Sequence, residues 1–508
     1  MKKYLLIIFS LATGMVHAQL VPASTNDSSK QKKITLLLPA VEKIVKEYAA
    51  KNNFPAIAYG IVANGKLVYS NGSGFTNISN KTPATAASLF RIASMTKSLT
   101  AMAILKLRDE GKLQLDDAAA KYMPELKNIA LLTTDAPAIT IRNLMTHTAG
   151  FPEDNPWGDR QLDATDEAFI TMLKKGISFS RVPGIAYEYS NMGFAMLGKI
   201  ITIVSGKPYQ QYITENILQP LGMQHTVWEY TNVPLALLAH GYRWENNQWK
   251  EEALLHDGAY GAMGGLITSI EDFGKYLSFQ LSAWPPRDDK DTGPVKRSSL
   301  REMQQPWAYN NLAAQFTYPD GRDCAMVSSY GYGLRVSRDC AGRVYVGHTG
   351  GLPGFGSQWW IMPDYGIGVM AFGNLTYASM GNLNWAVMDT LIKGAQLAPP
   401  ALPASAILSQ RKDELMKLLP HWNNASATNI FAVNFFPDHS IEDRKKKFED
   451  FFSKLGKIKR VTDVIPENQL RGIFYIEGEN TTLEIYFTLT PEQPALIQYL
   501  DVSEVKNN

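Results

Sequence analysis

A serine and a lysine three residues apart, Ser94 and Lys97, open a stretch that reads FRIASMTKSLTAMAILKLRDEGKLQLDD over residues 90–117. Positions three apart share a helix face, so the hydroxyl and the amine can meet. Leu99, Met102, Ala103, Ile104, Leu105 and Leu107 leave the helix apolar on nearly every side, the pattern of a helix buried between layers. A lysine carried into such a helix is costly as an ammonium, and desolvation lowers its pKa until it can act as a base. A serine beside it, at the positive end of the helix dipole, has what a nucleophile that passes through an oxyanion needs. Ser-x-x-Lys fixes only two positions, and a chain of this length should hold roughly two by chance. It holds four, at Ser29/Lys32, Ser94/Lys97, Ser409/Lys412 and Ser503/Lys506. Only Ser94/Lys97 opens a buried helix.

Two further motifs follow in order. Tyr189-Ser190-Asn191 lies where a loop forced by Val182-Pro183-Gly184 gives way to a small-residue helix, and His348-Thr349-Gly350 leads into the glycine-rich segment to Gly356. Tyr-x-Asn also occurs at Tyr69, Tyr230 and Tyr309, where hairpin or surface roles suffice.

The elements that must position these residues are readable in outline. Gly111 supplies a helix stop. Ile34 to Asn52 has the spacing of an amphipathic helix, and Pro55 to Ala63 is an apolar strand turned back at Asn64-Gly65. From about 115 to 320 the pattern is helical, with a run from Gly258 to Gly265 that suggests close backbone packing near the site. Strand patterns return at Tyr330 to Ser337 and Gly342 to His348, around a turn at Arg338 to Ala341, then at Gln358 to Met362 and Gly366 to Asn374. Met380 to Lys393 closes as a helix. The expected class is α/β (α+β): an antiparallel sheet flanked by helices, with an all-α subdomain inserted. The expected divisions are 1–18, a signal peptide; 19–33, a mobile leader; 34–396, the chemical domain; 397–404, a proline-rich linker; and 405–508, a small α+β domain. The last has helices at Ser405 to Leu418 and Ile441 to Leu455. Four strand-like runs follow, Lys457–Ile465, Leu470–Glu477, Thr481–Leu489 and Ala495–Val502, the simplest packing being a cystatin-like or nuclear-transport-factor-like cone.

Taken together, Ser94-Met95-Thr96-Lys97, Tyr189-Ser190-Asn191 and His348-Thr349-Gly350 resemble the motifs of the serine β-lactamase and penicillin-binding-protein superfamily, specifically the class C β-lactamase-related serine hydrolases. The resemblance covers about residues 34–396 and includes the LMTHTAGF, YEYSNMGFAMLG and GHTGGLPGF segments. It implies a β-lactamase/transpeptidase-like fold in which Ser94 becomes acylated. Lys97 and Tyr189 share the proton work, with Tyr189 as the expected base if the lysine lowers its phenol pKa, and the choice between the two stays open on sequence alone. It further implies that Asn191 binds the substrate amide, that His348, Thr349 and Gly350 line the substrate site, and that Thr349 positions a carboxylate or the tetrahedral oxygen. The N–H groups of Ser94 and Gly351 would form an oxyanion hole, roughly 3 kcal/mol per donor. Histidine at 348, where many members carry lysine, is mostly neutral at pH 7 and weakens fixed attraction for a carboxylate. That favours D-amino-acid peptides, amides or small esters over β-lactams. A class C-type β-lactamase and a catalytically weak cell-wall-binding protein are the alternatives.

Bulk features bound the remainder. Lys2 and Lys3, an apolar Tyr4 to Ala12 and Val16-His17-Ala18 before Gln19 read as a cleavable signal for secretion or the periplasm, too short to be a membrane anchor. Net charge is +2, which suggests no nucleic-acid partner. The eight histidines show no ligand spacing, so neither a metal nor another cofactor is expected. The expected partner is a small-molecule or peptide substrate, peptidoglycan fragments included. Cys324 and Cys340, sixteen residues apart, are candidates for a disulfide in an exported protein.

Overall fold

A computed structural model describes residues 28–400 and 402–505. The expected signal peptide therefore lies outside the described residues. The chain parts into two compact units between Pro399 and Pro400.

The larger unit is built on a nine-stranded sheet. Its strands are β1 (Ala56–Ala63), β2 (Lys66–Asn77), β3 (Thr82–Pro83), β4 (Ala308–Thr317), β5 (Asp323–Tyr330), β6 (Arg335–Asp339), β7 (Val344–Leu352), β8 (Phe355–Met362) and β9 (Ile367–Gly373). They pair antiparallel in the order β3-β2-β1-β9-β8-β7-β6-β5-β4, so the two ends of the unit meet at β1 and β9, with Ile57 opposite Gly373. The sequence AIAYGIVA of β1 is buried throughout, because both faces are covered. Ile57, Tyr59 and Ile61 share a core with Val41 and Val45 of the helix Ser28–Lys51 and Leu383 and Leu391 of the helix Gly381–Gly394. Ala56, Ala58 and Val62 face the other core, which holds Leu99 to Leu107 of the helix Thr96–Asp109. That helix is apolar on all sides because it lies between the sheet and the helices of the inserted portion.

Several expectations change in detail. The first helix starts at Ser28 rather than Ile34, so residues 28–33 are helix and not leader, and Ile34 is already buried. The inserted portion is not all-α and does not run to 320. It contains a hairpin, Gly241–Glu245 with Gln248–Glu252, and the sheet resumes at Ala308. Tyr330 to Ser337 is not one strand. Gly331 packs where a Cβ would lie 2.2 Å from Met303 O, and Gly333 has φ +64°, so the chain turns between Tyr330 and Arg335. Cys324 of β5 is bonded to Cys340, just past β6.

The smaller unit has helices Ala406–Met416 and Ile441–Leu455 on a five-stranded sheet, Ile458–Val461, Ile465–Asn468, Arg471–Gly478, Thr482–Leu489 and Ile497–Glu504. Strict alternation buries Leu483, Ile485, Phe487 and Leu489 against Leu408, Leu415 and Phe448. The first expected run divides in two, because Thr462 Oγ1 takes the N–H of Tyr475 in place of a ladder bond. No described helix is long and apolar enough to cross a membrane.

Candidate active site

Ser94 stands in a single 3-10 turn, Ala93–Met95, directly before the helix Thr96–Asp109. The turn is forced. Ala93 has φ +51°, a left-handed conformation that costs a non-glycine residue roughly 1–2 kcal/mol. It is fixed from three sides: Ile92 N–H donates to Leu266 O (3.0 Å), Ser357 Oγ donates to Ile92 O (2.7 Å), and β7 runs against it at Gly350. A Cβ at Gly350 would lie 2.2 Å from Ile92 O and 2.3 Å from Ser357 Oγ, so only glycine fits. This contact brings Thr349, Gly350 and Gly351 of the third motif beside Ser94, whose side chain remains 7% exposed.

Lys97, one turn along, is 0% exposed. Its Nζ lies 2.9 Å from Ser94 Oγ, 2.6 Å from Asn191 Oδ1 and 2.9 Å from Met263 O. Asn191 and Met263 O can only accept at those atoms, and a neutral amine has two N–H groups to give them and one lone pair left for the Ser94 hydroxyl. Burial pulls Lys97 down to about 7, opposed by the charges of Asp159 and Asp154 and helped by Arg335. The glycine-rich run at 258–265 does lie beside the site, and it delivers Met263 O.

Tyr189 is buried beside this pair, hydrogen-bonded to Ser94, with the Lys97 amine 4.9 Å from its ring centre. Its phenol is raised well above its ordinary value, first by desolvation. This overturns the expectation of a phenol activated by lysine: the lysine is itself desolvated and offers no fixed cation, so the phenol keeps its proton. The loop that carries Tyr189 is held by His147 at both flanks. Glu188 N–H donates to His147 O (2.8 Å), Ser190 N–H to His147 Nδ1 (3.1 Å), and the imidazole lies 4.2 Å from the Tyr189 ring. His147, at φ +57° in the LMTHTAGF segment, belongs to none of the three motifs, and no spacing in the sequence marks it.

Two expected substrate groups are otherwise engaged. Asn191 accepts from Lys97 at Oδ1 and donates from Nδ2 to Asn155 Oδ1 (3.0 Å), so its amide holds the lysine. Asp154 caps the helix Asn191–Ser205 by accepting from the N–H groups of Asn191 (2.6 Å) and Met192 (2.9 Å). His348 is 0% exposed; its Nδ1 donates to Thr349 O (2.5 Å) and its Nε2 accepts from Tyr330 (2.8 Å). That ring is a neutral hydrogen-bonder buried beside Tyr189, its centre 6.2 Å from the phenol ring, its pKa held well below the ordinary value first by burial. The fixed positive charge comes instead from Arg335 of β6, 5.8 Å from the Tyr189 ring centre and with no carboxylate within 4 Å among the described residues. Nothing in the motifs marks Arg335; its place follows from the turn that re-aims β6.

A family model described as Beta-lactamase matches residues 41–391. The chain belongs to this β-lactamase family, whose fold is that of serine hydrolases. It is 30% identical over 394 residues to "Protein flp" of Staphylococcus aureus, a match that covers 77% of this chain and 71% of that one. It is 26% identical over 503 residues to "Beta-lactamase-like protein 2" of Dictyostelium discoideum, covering 92% and 86%. The octameric penicillin-binding protein homologue from Pyrococcus abyssi shares its fold at a TM-score of 0.57 and 22% identity, over 92% of this chain and 96% of that one.

Proposed function

We propose that this protein is an exported serine hydrolase that forms an acyl-enzyme at Ser94 and acts on peptides or amides of D-amino acids or on small esters. The observation that carries the reading is the Lys97 amine, buried and 2.9 Å from Ser94 Oγ, with its two other partners able only to accept. As Ser94 Oγ bonds to the substrate carbonyl carbon, its proton passes to Nζ. The ammonium so formed has an acceptor for each of the N–H groups it does not return. Tyr189, protonated, donates to the departing nitrogen or oxygen as its bond to carbon breaks, and is reprotonated from Lys97. Water then repeats the attack, releasing the acid and restoring the Ser94 hydroxyl. The N–H groups of Ser94 and Gly351 hold the oxyanion; the packing of Gly350 against Ile92 and Ala93 supports that pairing.

Arg335, without a carboxylate partner, suits a substrate whose leaving part carries a carboxylate. Export rests on the signal-like residues 1–18, and N-terminal analysis of the mature protein should begin at Gln19.

The test is a parallel screen of nitrocefin, a D-alanyl-D-alanine peptide, a D-amino-acid amide and a short-chain aryl ester, with Ser94→Ala as control. Turnover of the peptide, amide or ester that is lost in Ser94→Ala is expected. Nitrocefin turnover equal to theirs promotes the β-lactamase reading, and no Ser94-dependent turnover of any of them removes the enzyme.

A further inference from the structure

The short helix Asn155–Gly158 and the 3-10 turn Asp159–Gln161 that follows it carry a carboxylate that the acyl-transfer steps do not use. Asp159 is 2% exposed, and its Oδ1 has no hydrogen-bond partner. Its neighbours place it at the reacting groups. The preceding residue, Gly158, abuts Asn191, where a Cβ would lie 2.9 Å from Asn191 Cβ. Asp159 accepts from the phenol of Tyr377, and the Tyr377 ring in turn would lie 3.1 Å from a Cβ at Gly351. The residue before the carboxylate thus touches Asn191, and the carboxylate's phenol partner packs on Gly351, whose N–H the proposed function places in the oxyanion hole. Lys97 is the cation closest to it electrostatically, yet no hydrogen bond joins them.

A buried carboxylate with an open lone pair, beside an amine that is half neutral at pH 7, lacks a full counter-charge. Burial accordingly pushes Asp159 up to about 7. A cation arriving with the substrate would complete it. Arg335 stands apart from this carboxylate, among Tyr187, Tyr189 and Tyr330.

We infer that Asp159 is a specificity-determining residue that receives the free α-ammonium of the substrate's acyl part, so that the preferred substrates are amino-acid amides or short peptides with an unblocked N-terminus. This rests on the acyl-enzyme reading at Ser94 and narrows it. Tyr377, 46% exposed, is the side chain that gives way or turns its phenol to admit the ammonium.

The experiment measures how well two probes protect Ser94 from a fluorophosphonate: D-alaninamide, and N-acetyl-D-alaninamide, which has the same shape without the charge. At pH 7 an α-amine of pKa about 7.8 is mostly protonated. A hydrogen bond to a buried charge corresponds to about a tenfold to hundredfold difference, so the free amine should protect at that much lower concentration. In Asp159→Asn the two probes should become equal, and Asp159→Glu should recover part of the difference. Equal protection in the wild type overturns the inference while leaving the acyl-enzyme intact. An Asp159→Asn variant that weakens both probes equally also overturns it, leaving Asp159 as a charge balance for Lys97. The wild-type comparison stands even where a variant fails to fold. Absence of any adduct at Ser94 is the failure of the underlying reading, and takes this inference with it.

Discussion

If Lys97 is the base, the rate of acylation must follow the titration of its amine. Burial lowers that amine from 10.5 to about 7, against the charges of Asp159 and Asp154. The free amine is the reactive form. At pH 6, one unit below the midpoint, about a tenth of the molecules carry it, and inactivation by a fluorophosphonate should run at about a tenth of its plateau rate. The rate should be half-maximal near pH 7 and flat above about pH 8. The reagent does not titrate in this range, so the profile reports the enzyme. The two neighbouring charges set the direction of further shifts: Asp159→Asn moves the midpoint down, Arg335→Gln moves it up. Lys97→Arg supplies a permanent cation and no base, and should lower the rate by about 100- to 10,000-fold. Stability should follow the same group. Its folded pKa lies below the unfolded one, so between about 7 and 10.5 the unfolded chain binds more protons, and Lys97 contributes a rise in stability with pH across that window. A rate constant independent of pH from about 5.5 to 8.5, or one that rises only above about 9.5, would refute the reasoning.

Three other outcomes follow from single contacts. Gly350→Ala sets a methyl 2.2 Å from Ile92 O, pushing β7 off the nucleophile turn; a loss of about 100-fold or more in acylation is expected, read by labelling rates alongside a melting curve. His147→Phe removes the Nδ1 acceptor for Ser190 N–H and is strained at φ +57°, so kcat should fall about 100-fold with KM little changed, whereas His147→Asn, able to accept and at ease in that conformation, should recover part of the loss. Replacing Cys324 and Cys340 by serine opens a loop of 16 residues and should lower stability by about 3 kcal/mol in denaturant titrations, without abolishing labelling of Ser94.

What was legible in the sequence was what periodicity and short spacing can carry. The apolar envelope of Leu99 to Leu107 announced a helix buried on all sides, and Ser94 and Lys97 met because three residues is nearly one helical turn. The run AIAYGIVA and its partner Gly366 to Asn374 gave the centre of the sheet. The site's electrostatics were not legible, because they depend on burial that only assembly decides. Tyr189 was expected to be activated by a charged lysine, yet both groups are desolvated and both shift toward neutrality. Asp159 and Arg335 reach the site from a 3-10 turn and from a strand re-aimed at Gly331 to Gly333, through contacts more than sixty residues distant from Ser94 that no local pattern encodes. His348 shows the limit of carrying a role by position: its motif is intact and its ring lies 6.2 Å from that of Tyr189, but it is buried and both its nitrogens are taken by Tyr330 and Thr349 O.

The central claim is that one hydroxyl is activated by one buried amine. Intact-mass and peptide analysis after fluorophosphonate treatment tests it most directly. A single adduct on Ser94 is expected in the wild type, none in Ser94→Ala, and a greatly slowed one in Lys97→Arg. An adduct that persists in Ser94→Ala, or forms at wild-type speed in Lys97→Arg, would contradict it.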